Sequence, residues 1–120
     1  MRFAHVTISV KDMEESLRFY RDIVGLPVTR KFPAGPGRDI VFLGYEGGTE
    51  VELISGAQGP LSFGQDISIG FEVESLEQMI RSLRDNKVEV GETQSPNPSV
   101  KMTFVSDPNG VRVQFLEYVK

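Results

Sequence analysis

The chain contains no cysteine, no tryptophan and a single histidine, His5. Without cysteine it cannot form disulfide-stabilised scaffolds, thiolate zinc sites or cysteine nucleophiles. A single histidine also excludes the 2-His-1-carboxylate arrangement of non-haem iron oxygenases within one chain. Any imidazole chemistry in this protein therefore depends on His5.

Long basic runs and long apolar runs are also missing. The net charge is −4, so nucleic-acid and acidic-membrane partners are not expected, because phosphate binding requires a basic field. No stretch is long enough to cross a membrane, and the start MRFAHV carries no apolar signal region. With 39% hydrophobic and 25% charged residues, the composition is that of a globular protein, and a cytoplasmic location is expected.

What the sequence does contain is an internal repeat that spans nearly the whole chain. Residues of the first half recur 63 positions later up to the end of the predicted helix, as Asp22 and Asp85 do. Beyond it they recur 62 positions later, as Phe42 and Phe104 do, so one residue is missing from the second copy. A match over a helix and four strands indicates two copies of one structural unit.

Each copy reads as a strand, a helix and three further strands. Alternating apolar residues predict strands that begin at Phe3 and Asp66, and capping boxes at Asp12/Glu15 and Ser75/Gln78 predict the helix starts. Gly25 is expected to end the first helix. The remaining predicted strands are LPVTRKF, RDIVFLGY and TEVELIS in the first copy, and KVEVGE, VKMTFVSD and VRVQFLEYV in the second, with QSPNPS as a loop and DPNG as a hairpin turn.

The predicted fold class is α+β, with two tandem βαβββ modules forming a curved mixed sheet around a concave pocket. The modules cover residues 1–56 and 66–119 of one domain, 1–120. Each sheet has an apolar face for its helix to cover, so its other face is free to line the pocket. Since small halves of this kind leave strand edges to shield, a homodimer is expected.

Four positions on the polar strand faces are related by the repeat. His5 corresponds to Ser68, and Glu52 corresponds to Gln114. Strand alternation places all four opposite the apolar face, where Thr7 and Glu50 share the side of His5 and Glu52. These six residues are the candidate site, with Ser68, Thr7 and Glu50 as pocket lining. Arg30, Arg38, Lys101 and Arg112 could pair with an anionic substrate, although charges at strand ends are more often simply solvated.

The paired plan resembles the vicinal oxygen chelate superfamily, which includes glyoxalase I, extradiol dioxygenases, methylmalonyl-CoA epimerase and antibiotic-resistance proteins. The segments that carry the resemblance are HVTISVKDMEESLRFYRDIVGL, VELI and FVSDPNGVRVQFLE. In glyoxalase I-like members, four such side chains, typically His, Glu, His and Glu, hold a divalent metal. The resemblance therefore implies a metal site (Zn, Ni, Mn or Fe) at His5, Glu52 and Gln114, with Ser68 in place of the second histidine.

Two functions remain open on this sequence. One is a lyase or isomerase of the lactoylglutathione lyase type, in which a metal stabilises an enediolate-type intermediate of a small oxygenated metabolite and Glu52 acts as ligand or base. The other is a metal-free protein that binds and sequesters a small, antibiotic-like molecule. Ser9 stands where the resemblance implies a glutathione-binding arginine, so a glutathione-linked substrate is not expected.

Overall fold

The computed structural model describes residues 1–64 and 66–119, which divide into two compact units, Met1–Ser62 (unit 1) and Phe63–Lys120 (unit 2). Each unit contains a four-stranded sheet and a helical segment in the order β-α-β-β-β. The predicted α+β fold with two βαβββ modules is therefore confirmed. In the described part of the chain, none of the helices is long and apolar enough to cross a membrane.

Unit 1 is built on a sheet with the strand order β1-β4-β3-β2. Strand β1 pairs with β4 in parallel, and the other neighbours are antiparallel. The predicted cap is present, because the Asp12 carboxylate accepts a hydrogen bond from the Glu15 backbone N–H at 3.0 Å. The elements are β1 (His5–Ser9), α1 (Met13–Leu17), a π-helical segment (Arg18–Ile23), β2 (Val28–Pro33), β3 (Asp39–Leu43) and β4 (Glu50–Ile54).

The predicted helix before Gly25 is only partly α-helical. After α1 the chain widens into the π-helical segment, where the Val24 backbone N–H donates to the Phe19 carbonyl, five residues earlier, at 2.8 Å. This segment buries the consecutive rings of Phe19 and Tyr20, which meet edge to face at 4.9 Å. Gly25 ends the segment as predicted, with a φ of 91° that an L side chain rarely adopts.

Unit 2 repeats this plan with the strand order β5-β8-β7-β6. Strands β5 and β8 are parallel, and the Ser75 hydroxyl caps the helix by accepting from the Gln78 backbone N–H at 3.2 Å. The DPNG segment is the predicted turn, because the Asp107 carboxylate accepts from the backbone N–H groups of Asn109 and Val111. The elements are β5 (Ser68–Glu72), α2 (Leu76–Asp85), β6 (Gln94–Asn97), β7 (Val100–Ser106) and β8 (Arg112–Tyr118).

One predicted strand is wrong. The segment KVEVGE, residues 87–92, forms no strand, and β6 lies instead within the predicted loop QSPNPS. Val88 and Val90 are half-buried and their neighbours are exposed, which explains the alternating apolar pattern. In this segment the Gly91 backbone N–H donates a hydrogen bond to the Phe104 carbonyl of β7. Alternating burial thus arises here without a continuous hydrogen-bonded ladder.

The core of each unit lies on the apolar face of its sheet. In unit 1, Leu53 of β4 is fully buried, and in unit 2 Phe115 occupies the corresponding place on β8. The helical segments contribute Leu17 and Tyr20 to unit 1 and Leu76 and Leu83 to unit 2. Because strand side chains alternate, the opposite face of each sheet carries the polar residues.

Candidate functional site: the polar face of each sheet

The candidate residues of unit 1 meet where β1 and β4 pair. The parallel register places His5 beside Glu50 and Thr7 beside Glu52, while Val6 and Val51 point to the core side. The four polar side chains therefore share one face, in the arrangement that the strand alternation predicts.

Glu52 is the most enclosed carboxylate of this face, with 9% of the residue exposed. Its Oε1 accepts a hydrogen bond from the Thr7 hydroxyl at 2.5 Å and lies 3.5 Å from His5 Nε2. Its Oε2 makes no hydrogen bond or ion pair with any described residue. One oxygen is thus held in place while the other stays available to a ligand.

Glu50 is engaged differently, because other side chains of the unit use both of its oxygens. Thr29 donates a hydrogen bond to Oε2, and Arg30 forms an ion pair with Oε1 at 3.2 Å. These contacts, the Thr29 hydrogen bond first, hold the pKa of the Glu50 carboxyl below its ordinary value. The Glu50 carboxylate is therefore paired with Arg30 and less available to a ligand than that of Glu52.

Phe42 of β3 lies on the same face and contacts several of these side chains. The Arg30 guanidinium lies 3.8 Å from its ring centroid, and the His5 ring meets it edge-on at 5.4 Å. Phe32 stacks beside it at 6.2 Å. Sequence reasoning missed this cluster. The signal that could have found it is the repeat, since Phe42 and Phe104 are matched aromatic residues that pair with Glu52 and Gln114 on the neighbouring strands.

Ser68 and Gln114 share the corresponding face of unit 2. The exposed Ser68 pairs with Arg112, and Gly70 pairs with Gln114. The Gln114 amide donates from Nε2 to Met102 Sδ at 2.9 Å, and a Cβ added at Gly70 would lie 2.9 Å from its Oε1. The Arg112 guanidinium lies 3.8 Å from the Phe104 ring centroid.

The donor set for a metal is small. Among residues 1–64 and 66–119, no three His, Cys, Asp or Glu side chains group together as a metal site would need. His5 Nε2 and Glu52 Oε1, 3.5 Å apart, are nevertheless both donors of the type that binds Zn²⁺ or Fe²⁺ at about 2.0–2.2 Å. The two residues fit an ion that takes its remaining ligands from weaker donors or solvent.

Three comparisons bear on this geometry. The model of the Glyoxalase/Bleomycin resistance protein/Dioxygenase superfamily matches residues 2–115. The lactoylglutathione lyase of Haemophilus influenzae is 27% identical over 98% of this chain and 93% of its own length. The trypanothione-dependent glyoxalase I of Leishmania major superposes with a TM-score of 0.83 at 26% identity, over 98% of this chain and 86% of that chain.

A fourth likeness concerns the fold alone. An antibiotic-binding protein from a Streptomyces species superposes with a TM-score of 0.76 over 99% of this chain and 97% of its own, at 17% identity. Proteins with different roles therefore share this fold, so function has to be argued from the side chains.

Proposed function

The chain belongs to the glyoxalase/bleomycin resistance protein/dioxygenase superfamily, and on that basis we propose that it is a divalent-metal-dependent lyase or isomerase acting on a small oxygenated metabolite. The observation that carries the proposal is the His5–Glu52 pair. A buried carboxylate with one oxygen fixed by Thr7 and the other unengaged is suited to bind an ion or to move a proton.

The proposed ligands are His5, Glu52 and Gln114. His5 and Glu52 supply an imidazole nitrogen and an anionic oxygen, and Gln114 would add a neutral amide oxygen. With one anionic ligand, affinity for Zn, Ni, Mn or Fe should be lower than in a site with two histidines and two glutamates. Ser68 would line the pocket without binding the ion.

The bound metal would polarise a substrate carbonyl and stabilise an enediolate-type intermediate of the substrate. The chain's own residues divide the remaining work. If Glu52 acts as the base and not as a ligand, it would accept the substrate proton through Oε2, while Thr7 keeps the carboxylate oriented through Oε1. Phe42 packs between Arg30, above its ring, and His5, at its edge, and so supports both side chains on this face.

The substrate we propose is not linked to glutathione. The reaction type is proposed from the similarity to the lactoylglutathione lyase of Haemophilus influenzae. The resemblance implies a glutathione-binding arginine at position 9, but this chain has Ser9 there, at the end of β1. A serine hydroxyl cannot form the bidentate pair with a carboxylate that an arginine forms.

A second candidate is a metal-free protein that binds a small, antibiotic-like molecule on the same faces. The observation that favours it is the loss of strong donors from unit 2, where Ser68 and Gln114 replace the second histidine and glutamate of the resembling proteins. A homodimer, a cytoplasmic location and a single domain made of modules 1–56 and 66–119 remain further proposals.

Elemental analysis of purified, tag-free protein and thermal melts with Ni²⁺, Zn²⁺, Mn²⁺ and Fe²⁺ test the proposal. We expect one metal to raise the melting temperature of the parent and to leave His5→Ala unchanged, because a ligand stabilises only the state that binds it. Gln114→Glu should strengthen that shift, and Glu52→Gln should abolish it.

The matched control is Ser9→Ala, which lies on β1 with His5 but is not a proposed ligand. If no metal shifts the parent, or if His5→Ala and Ser9→Ala respond equally, the metal proposal is wrong. Retained binding of hydrophobic small molecules by the metal-free protein would then favour the second candidate.

A further inference from the structure

Each sheet places an arginine over the same repeated phenylalanine, and within residues 1–64 and 66–119 only Arg30 has an acidic partner. Arg30 lies 3.8 Å above Phe42 and pairs with Glu50 at 3.2 Å. Arg112 lies 3.8 Å above Phe104, but no carboxylate of the described residues comes within 4.0 Å of its guanidinium. Stacking occupies the face of a guanidinium and leaves its N–H donors directed outward in the plane.

The repeat accounts for the different surroundings of the second arginine. Position 112 is the counterpart of position 50, since 112 − 50 gives the offset of 62 that relates the later strands. Glu50 of unit 1 is thus replaced by Arg112 at the equivalent position of unit 2. The exposed Ser68 pairs with Arg112 across the strands and adds a hydroxyl donor beside it.

We infer that Arg112 binds the carboxylate of a small-molecule ligand, the type of group that Arg30 meets in Glu50 through one contact at 3.2 Å. An arginine fork fits a carboxylate through two parallel hydrogen bonds, and an aromatic ring beneath it holds the fork in place. A cavity of about 710 Å³, lined by Phe104 and Arg112, lies beside the guanidinium. This volume is sufficient for a small metabolite.

Two acidic residues limit the affinity of this site. Asp66 and Glu89 also line the cavity, and their negative charges oppose the entry of an anion. The ligand carboxylate is therefore expected to contact Arg112 and to stay away from Asp66 and Glu89. Removing the negative charge of Asp66 or Glu89 should strengthen binding of the carboxylate. The inference rests on the proposed function in taking the ligand to be a small molecule, but it does not depend on a metal.

NMR titration of the metal-free, 15N-labelled full chain tests this inference. The probes are acetate and, separately, inorganic phosphate at constant ionic strength, and the readout is the arginine Nε–Hε resonances. We expect acetate to shift the Arg112 resonance saturably and the Arg30 resonance much less. Arg112→Gln should weaken acetate binding at least about tenfold, because it removes a charge-assisted hydrogen-bond donor. The matched control, Arg30→Gln, should bind acetate as the parent does.

Further variants keep the result interpretable if Arg112→Gln folds poorly. Arg112→Lys retains the charge without the fork and should bind acetate with intermediate affinity, whereas Asp66→Asn should bind it more tightly. Equal acetate binding by the parent and Arg112→Gln, or equal shifts at Arg30 and Arg112, would overturn the inference. Binding of phosphate without acetate would overturn the carboxylate assignment. Since no metal is present, failure here is distinct from failure of the His5 site.

Discussion

The polar faces of the two units share strand pairing and a stacked arginine–phenylalanine pair, but they differ in the charged side chains on the strand beside it. Both carry a phenylalanine with a guanidinium 3.8 Å above its ring. In unit 1 the strand beside it bears two carboxylates, Glu50 and Glu52, whereas the same positions of unit 2 bear Arg112 and Gln114. The face that carries two carboxylates and the face that carries a guanidinium and an amide in their place are thus copies of one structural unit.

The contacts within each face follow from this exchange. In unit 1, Thr7 holds Glu52 by a hydrogen bond, and in unit 2 its counterpart Gly70 leaves room for the Gln114 amide to lie against the backbone. A carboxylate in a largely buried position needs a donor, whereas a neutral amide can turn toward the Met102 sulfur. The two units therefore have the same strand register and the same phenylalanine, Phe42 or Phe104, but different polar side chains around it.

The largest effects should come from the core, where the two units are equivalent. Leu53→Ala and Phe115→Ala each remove a fully buried side chain at matching positions of β4 and β8. We expect each to lower the free energy of unfolding by about 2–5 kcal/mol in urea denaturation, because a cavity adds to the lost apolar burial. Ile67→Ala, at a residue 71% exposed, is the control and should change it by less than about 0.5 kcal/mol. A small loss at either core position would contradict the equivalence.

The next effect is specific to unit 1. Thr7→Val removes the hydroxyl that donates to Glu52 while keeping the shape of the side chain. A hydrogen bond to a charged group is worth about 1.5–3 kcal/mol, so urea denaturation at neutral pH should show a loss of this order. Thr7→Ser keeps the donor and should lose much less. Equal losses for the two variants would mean that packing, and not the hydrogen bond, explains the effect.

Some features of this structure could be predicted from the sequence, and others could not. The repeat, the caps at Asp12 and Ser75 and the sharing of one face by His5 and Glu52 depend on local spacing, which is readable from one chain. The π-helical segment depends on which side chains the core accepts, and the exposed strand β6 depends on its pairing with β7. No spacing rule describes either. The stacking of Arg30 and Arg112 depends on which neighbouring strand reaches over each phenylalanine, a tertiary contact that charge alone does not reveal.

A smaller effect concerns Glu50 and depends on pH. Because the Thr29 hydrogen bond and the Arg30 charge lower its pKa in the folded state below the ordinary value of 4.5, the ionised carboxyl stabilises the fold above that pH. This contribution is lost as the pH falls through the lowered pKa. The melting temperature of Glu50→Gln should therefore fall below that of the parent at pH 7, and the two should converge in acid.

Thr29→Val is the matched variant for this pH dependence. It removes the largest cause of the lowered pKa while keeping Glu50 and Arg30 in place. Its gap from the parent in melting temperature should also narrow in acid. A gap for Glu50→Gln that stayed constant from pH 7 to acid would show that the carboxyl contributes through packing alone.

The smallest effect should come from Gly70→Ala in unit 2. The added Cβ would meet only the end of the flexible Gln114 side chain closely, and Gly70 has no positive φ that would strain an alanine. We expect a change in unfolding free energy of no more than about 1 kcal/mol, with a shift of the Gln114 side-chain amide resonance as the amide moves. A loss of several kcal/mol, or an unmoved amide, would contradict the flexible packing of Gln114.

The π-helical segment Arg18–Ile23 also bears on how the two halves of the chain diverged. A turn closed over five residues accommodates one residue more than an α-helical turn, and the repeat offset falls from 63 to 62 between Asp22 and Phe42. One extra residue can be absorbed in such a turn without displacing the strands on either side. The helix can thus tolerate indels that would shift the register of a strand and turn its functional side chains to the wrong face.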